Sequence, residues 1–289
     1  MESQDLMRLI QVKFPKLSKG QKLIAEYILK NYDKAAFMTA AKLGNNVGVS
    51  ESTVVRFATE LGFSGYPKLQ KALQELIKNK LTSVQRLELS NDFISEENAL
   101  KGVLKADIEK IRATLEKINH KTFDEVVNEI FKAKRIYIIG LRSPTALPAF
   151  LGFYLNLVCD NVSVVDVNSS SEIFEQLIRI NEHDVIIGIS FPRYSMRTLK
   201  ALEFASNRKA KVITLTDSVH SPMNLYSSCN LIARSDMASI VDSLVAPLSV
   251  VNALVVALCM KRQKEVVSTL ETLEEIWGEY EVYSRDELD

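Results

Sequence analysis

Cysteine is scarce in this sequence, and the few present form no pattern. Its 289 residues include three, Cys159, Cys229 and Cys259, with no CxxC pair. An odd count without ligand spacing speaks against a disulfide framework or a zinc site. It fits buried thiols in a reduced compartment, so a cytoplasmic protein is expected. Histidine is equally sparse. His120, His183 and His220 lie far apart with no ligand-spaced Cys or Asp beside them, so no metal and no cofactor is expected. His120 and His183 fall at apparent helix ends, where capping is the ordinary explanation. There is no P-loop, no GxGxxG and no Ser nucleophile elbow, and no catalytic residue stands out. The opening MESQDLMRLI has neither the basic start nor the apolar stretch of a signal peptide. The longest apolar run, Leu244 to Met260, is broken by Pro247, Ser249 and Asn252 and is shorter than the about 20 residues a bilayer span needs. It reads as a helix buried in a core or at a subunit interface, with no membrane partner. The helix carrying Trp277 is a second plausible oligomer surface.

Net charge is also lacking, with 36 basic and 36 acidic residues, but the balance is uneven. Residues 1–80 carry 13 Lys/Arg and 7 Asp/Glu, and the remainder carries 23 and 29. A basic segment on an acidic remainder suggests that the first segment meets a polyanion, although a chance excess of surface lysine gives the same count. Hydrophobic residues make up 47% and no long polar tract occurs, which is enough apolar material for two domains with separate cores.

The first 80 residues carry helical signals and no strand run. Ser18 with Gln21 forms a capping box before Leu23, Ile24, Tyr27 and Ile28. Thr39 caps a helix over Ala40 to Val47, and Gly48 follows where a left-handed residue is wanted. Ser50 caps a third helix ending near Leu61-Gly62, and Pro67 opens a fourth that runs to about Leu81. A short helix, a Gly-containing turn and a second capped helix are the parts of a helix-turn-helix. In the second of these helices Val54, Phe57, Ala58 and Leu61 fall on the packing side. Glu51, Ser52, Thr53, Arg56 and Thr59 are left outward. Ser52, Thr53 and Arg56 are therefore candidates for contact with base edges, Ser50 at the start of the helix joins them as a DNA-binding candidate, and Lys16, Lys19, Lys22, Lys42 and Lys68 are candidates for contact with phosphates. An ordinary helical hairpin with a solvated face is the competing reading, and Glu51 is a mild objection to DNA.

Residues 81–105 mix Ser, Asn and Glu with scattered Leu and read as a linker. From 106 to 289 the pattern changes. Helices are expected over Asp107 to Asn119 and Phe123 to Lys132. Short β-rich apolar runs follow at Arg135–Ile139, Ser163–Val167, Asp184–Ile189, Lys211–Thr216 and Asn230–Ala233, mostly separated by helical segments. Alternating buried strands and helices mean a parallel sheet covered on both faces. Ligands of such sheets bind beyond the carboxyl ends of the strands. Three strand ends are rich in hydroxyls and cations: Gly140-Leu-Arg142-Ser143-Pro144, Ser190-Phe-Pro-Arg193-Tyr194-Ser195 and Thr216-Asp217-Ser218. Arg142, Ser143, Ser190, Arg193 and Ser195 form a candidate anion site. Helix capping by Ser143 and Ser195 is the alternative. A sugar-phosphate isomerase would need a general base, and Glu172 and His220 are the nearest candidates. A helical protein-interaction module on a ligand sensor is a third reading.

The chain resembles the RpiR family of bacterial regulators. The resemblance is carried by Ser18–Tyr27 (SKGQKLIAEY), Val47–Phe57 (VGVSESTVVRF), Leu61–Pro67 (LGFSGYP), Arg135–Gly140 (RIYIIG) and Asp184–Ser190 (DVIIGIS). It implies an all-α helix-turn-helix domain followed by a three-layer α/β sandwich with a five-stranded parallel sheet, the SIS or sugar isomerase domain. It further implies binding to a double-stranded DNA operator as a homodimer or homotetramer, under control of a phosphorylated sugar or similar small anion. The family's phosphate loops land on Ser143, Ser190 and Ser195. This sequence departs from the family pattern at four places: Arg142 and Arg193 stand at glycine positions, Pro192 at a serine position and Ser195 at a threonine position.

Overall fold

A computed structural model describes residues 3–77, 84, 98–166, 170–236 and 241–283. Its contacts divide the chain into two compact units, residues 1–89 and 90–289.

The first unit is helical: α1 (Ser3–Lys13), α2 (Lys19–Ala35), α3 (Ala40–Val47), α4 (Glu51–Glu60) and α5 (Tyr66–Ile77). The start and stop signals act as their chemistry requires. Ser18 and Gln21 form the full capping box of α2. Thr39 and Ser50 accept the N3 amides of α3 and α4, and Gly48 takes the left-handed conformation at φ 75°. The α3–α4 turn is also close-packed, because a Cβ on Gly44 would lie 2.7 Å from the Val49 carbonyl oxygen. Leu43, Val54, Phe57 and Leu69 are fully buried in this unit's core. Tyr66 donates to the Met38 carbonyl at 2.8 Å, and burial pushes its hydroxyl up to about 12, so it stays a donor. Helix α1, which places Leu6 and Ile10 in the core, is not among the helices expected from the sequence. Residues 78–81, expected to end the last helix, lie outside the described residues.

The second unit contains α6 (Ala99–Lys117), α7 (His120–Lys132), β1 (Ile136–Ile139), α8 (Ala146–Val158), β2 (Val162–Val164), α9 (Ser170–Leu177), β3 (Val185–Ile189), α10 (Met196–Asn207), β4 (Lys211–Thr216), β5 (Cys229–Ile232), α11 (Val245–Lys261) and α12 (Gln263–Glu279). The five strands pair in parallel in the order β2-β1-β3-β4-β5. Alternate residues serve opposite faces. Ile136, Ile138, Val185 and Ile187 pack with α7, α8 and α11, while Tyr137, Ile139, Ile186 and Val212 pack with α9 and α10. The result is the three-layer α/β sandwich. The inner turns of α11 are buried through Val250, Val251, Leu254 and Leu258, whereas Val256 and Met260 are exposed. Among the described residues no single helix is long and apolar enough to cross a membrane.

Several boundaries differ from the sequence reading. Helix α6 begins at Ala99, inside the stretch read as linker, because Leu100 and Leu104 continue a stripe with Ile108 and Ile111. Asn119 is not the end of that helix. It caps α7 by accepting the Thr122 amide at 3.2 Å, so the cap expected of His120 belongs to its neighbour. His183 lies exposed in the turn before β3 rather than at a helix end. Strand β2 is Val162–Val164, shorter than expected, and Val167 lies outside the described residues.

Candidate functional site

Each unit presents one candidate surface. In the helical unit, α4 buries Val54, Phe57 and Ala58, which turns Glu51, Ser52, Arg56 and Thr59 outward. Its first turn is a cluster of hydroxyls. Ser50 Oγ accepts the Thr53 amide at 3.3 Å and lies 2.9 Å from both Ser52 Oγ and Thr53 Oγ1. The Arg56 Nε donates to the Ser52 carbonyl at 3.3 Å, leaving the guanidinium ends at the surface. The start of α2 lies against the same turn: a Cβ on Gly20 would sit 3.4 Å from Thr53 Cγ2 and from Val49 Cγ1. Lys19 is therefore next to the N-terminus of α4. Lys16, Lys19, Lys42 and Lys68 are exposed, and Lys22 is half-buried with its ammonium 5.8 Å from the Phe14 ring centroid. The N-termini of α2 and α4 thus lie together with Lys19 at the first of them, a suitable surface for a phosphate. Val55, at 40% exposure, was missed by the sequence reading. The signal was the doublet Val54-Val55, of which a helix can bury only one. An outward valine beside Arg56 can meet a thymine methyl.

In the α/β unit the strand order decides where a ligand fits. From β1 the chain crosses to β2 on one side and then to β3 on the other, so the loops leaving β1 and β3 diverge. The crevice opened between them is the usual ligand site of such sheets. Both loops expected from the sequence lie there, on adjacent strands registered Ile139 to Gly188. The β1 loop places Arg142 and Ser143 at the surface, and Ser143 starts a 3-10 turn leading into α8. No hydrogen bond within the described residues engages the Ser143 hydroxyl, and no side chain caps that turn or α8. The capping alternative therefore does not account for Ser143. It does account for Ser195, whose Oγ accepts the Thr198 amide at 3.3 Å as the cap of α10. Ser190 Oγ in turn accepts the Ser195 amide at 3.2 Å, and both serines are buried. A hydroxyl that accepts an amide still has its proton to donate.

The backbone at the two arginines is unusual. Arg142 has φ 73° and ψ −132°, and Arg193 has φ 66°. These are conformations that glycine adopts freely and arginine does not. The loops thus keep a glycine-like backbone while carrying guanidinium groups, and both arginines are exposed.

The third strand end is built differently. The Tyr194 hydroxyl donates to the Asp217 carboxylate at 2.8 Å, and Thr216 Oγ1 lies 2.9 Å from Ser221 Oγ. Burial, reinforced by Asp217, pushes the Tyr194 hydroxyl well above its ordinary value and keeps it a donor. A buried carboxylate with internally paired hydroxyls braces the second loop and repels an anion. Glu172 lies in the first turn of α9, beside an open depression lined with Asp166, Glu175 and Gln176. His220 is exposed in the turn after β4 and does not line that depression. Another residue absent from the sequence reading is Thr198, whose buried Oγ1 has no partner among the described residues. Nothing in the sequence distinguishes it from other helix threonines. Among the described residues no three His, Cys, Asp or Glu side chains group at metal-binding distances.

Comparison with known proteins divides the chain in the same way. Residues 4–80 match the model of the helix-turn-helix domain of the rpiR family, and residues 129–257 match the SIS domain. An uncharacterised HTH-type transcriptional regulator of Clostridium perfringens is 28% identical over 75% of this chain and 77% of its own length. The HTH-type transcriptional regulator HexR of Escherichia coli is 24% identical over 94% of this chain and 93% of its own. The sugar isomerase domain of an RpiR transcription factor from Sphaerobacter thermophilus superposes with a TM-score of 0.57 at 26% identity, covering 60% of this chain and 96% of that one. The Vibrio vulnificus NanR protein, complexed with ManNAc-6P, superposes with a TM-score of 0.58 at 22% identity, covering 94% and 98%.

Proposed function

Because the chain belongs to the RpiR family, an rpiR-type helix-turn-helix followed by a SIS domain, we propose that it is a transcriptional regulator whose operator affinity is set by a phosphorylated sugar bound between the ends of β1 and β3. The observation that carries the effector half is the placement of Arg142, Ser143, Ser190, Arg193 and Ser195 at the one crevice the strand order opens. Guanidinium groups and hydroxyl donors at adjacent strand ends suit a phosphate dianion. The Vibrio vulnificus neighbour, complexed with ManNAc-6P, is consistent with that ligand class. Binding rather than turnover is the reading favoured by the relatives, which are named transcriptional regulators.

In the DNA half, α4 enters a major groove, with Ser52, Thr53, Val55 and Arg56 facing bases. Ser50 fixes the start of the helix, and Lys19 and Lys42 meet the flanking phosphates. Two copies reading two half-sites give a palindromic operator. The effector must bind the two DNA-arm arrangements unequally, because a ligand with equal affinity for both shifts nothing. Arg56→Ala is expected to weaken specific binding by about 1–3 kcal/mol and to relax base preference at one position of each half-site. Fluorescence anisotropy against the operator and single-base variants reads both effects. Unchanged affinity and unchanged preference would remove Arg56 from the reading surface.

A further inference from the structure

Most polar groups on the outward side of α4 are engaged within the helix itself. Ser52 Oγ and Thr53 Oγ1 each lie 2.9 Å from Ser50 Oγ. The Arg56 Nε donates to the Ser52 carbonyl at 3.3 Å, and Thr59 Oγ1 donates to the Val55 carbonyl at 3.2 Å. Glu51 differs. It is exposed at the first position of the helix, and among the described residues no hydrogen bond or ion pair engages its carboxylate. Neither Lys19, at the neighbouring start of α2, nor Arg56 pairs with it there. A helix N-terminus favours an acid in its first turn whatever the helix does, so the position gains further meaning only from what the carboxylate faces. Beside phosphates it is repelled. Beside base edges it is selective, because a carboxylate only accepts hydrogen bonds. In a major groove guanine offers the acceptors N7 and O6, and thymine offers O4 and a methyl group. The donors are the N4 amine of cytosine and the N6 amine of adenine. Adenine carries the acceptor N7 next to its amine, which repels the second carboxylate oxygen. Cytosine carries a C–H there.

Resting on the reading of α4 as the helix that enters the groove, we infer that Glu51 determines one base of each half-site, accepting the N4 amine of a cytosine and rejecting guanine and thymine at that position. The same charge weakens binding to DNA that lacks the cytosine, so the residue discriminates by repulsion as well as by contact. Val55 sets the register. It is exposed on the same side of the helix, four residues on. That is about 6 Å along the axis, or roughly two base-pair steps. A cytosine read by Glu51 and a thymine whose methyl group meets Val55 therefore fall within about two base pairs of each other.

The test selects duplexes from a random-sequence pool with the full chain. The parent is expected to enrich a two-fold symmetric motif with cytosine at one position of each half-site. Glu51→Ala should enrich the same motif with that position relaxed. Glu51→Gln should move it towards adenine, whose N6 and N7 suit an amide, a change that a merely structural role would not produce. On the parent's selected duplex, replacing that base pair in one half-site should weaken the parent roughly fivefold to a hundredfold and Glu51→Ala by about twofold at most. Deoxyuridine in place of the neighbouring thymine should weaken the parent about fourfold and leave Val55→Ala unaffected. Both residues are exposed, so the circular dichroism spectra should match. A motif unchanged in Glu51→Ala and Glu51→Gln overturns the inference and leaves the reading of α4 standing. Tighter binding of every duplex with the base preference kept would make Glu51 a repulsive charge alone, and a lower melting temperature with the preference kept would assign it to the helix dipole; either overturns the inference. A parent that enriches no motif overturns the reading of α4 and this inference with it.

Discussion

Replacing Arg142 by glycine is expected to raise the melting temperature of the protein and, in the same variant, to erase most of the stabilisation conferred by its sugar phosphate. The two effects have one cause. At φ 73° and ψ −132° a side chain bearing Cβ pays a conformational penalty that glycine avoids. Such conformations cost roughly 1–3 kcal/mol, and the greater entropy of glycine in the unfolded chain returns about 0.5–1 kcal/mol of that. A net gain on the order of 1 kcal/mol is left. The Arg142 side chain is exposed and accounts for none of the packing. Its removal should instead cost a charge-assisted hydrogen bond to the ligand, about 1.5–3 kcal/mol, or roughly tenfold to a hundredfold in affinity. Arg193→Gly, at φ 66°, should likewise weaken binding of the ligand. Differential scanning fluorimetry with and without a panel of aldose and ketose phosphates measures both quantities. A raised melting temperature with the ligand shift intact would show that the arginines do not touch the ligand. A lowered one would show that they hold the fold together, and the strained backbone would then have no functional meaning.

Asp184→Ala should be the most damaging single substitution considered, and for a structural reason. Asp184 is fully buried just before β3. It accepts two hydrogen bonds from Arg135, at 3.1 and 2.7 Å, and a third from the Asn181 amide at 2.9 Å. These bonds join the N-terminal ends of β1 and β3, the two strands whose other ends form the proposed site. Removing the carboxylate leaves the Arg135 guanidinium with only its bond to the Arg179 carbonyl and takes the acceptor from the part-buried Asn181 amide. Breaking a buried pair from one side costs 3–5 kcal/mol, and because Arg135 is partly open to water we expect about 3 kcal/mol. For a unit of this size the melting temperature should fall by roughly 6–12 °C. Effector affinity below the transition should be nearly unchanged, since the pair lies at the opposite end of the sheet. Thermal melts followed by circular dichroism test the first statement and isothermal titration the second. A loss of stability below about 1 kcal/mol would mean that the ion pair only offsets its own desolvation.

The parts of this molecule that were legible in the sequence are those specified by local chemistry. Ser18, Thr39, Ser50 and Gly48 mark helix ends through hydrogen bonds to neighbouring amides, and a capping residue needs no distant partner to be recognised. The buried strands were legible because a run such as Ile136–Ile139 is apolar on both faces, which only a covered parallel sheet explains. What was hidden depends on partners far along the chain. Residues 99–105 were read as linker because the leucine stripe of α6 points away from its own domain, and Asp107 and Thr114 show their meaning only beside Ser243 and Arg234. The roles of Ser143 and Ser195 could not be separated by residue type. Ser195 caps a helix, whereas Ser143 starts a turn that needs no side-chain cap. The strained arginines were half visible: family glycines at those positions pointed to an unusual backbone, but only the dihedral angles show that it persists with arginine in place.

Footprinting of the purified full-length protein on the DNA flanking its own gene, at modest salt, tests the regulator assignment most directly, with a panel of sugar phosphates added in turn. The result expected is a protected two-fold symmetric site, with half-protection moved by about 5- to 150-fold in protein concentration by one phosphate of the panel. Failure to protect any site would contradict DNA reading by α4. A protected site that no sugar phosphate moves would contradict control through the crevice between β1 and β3.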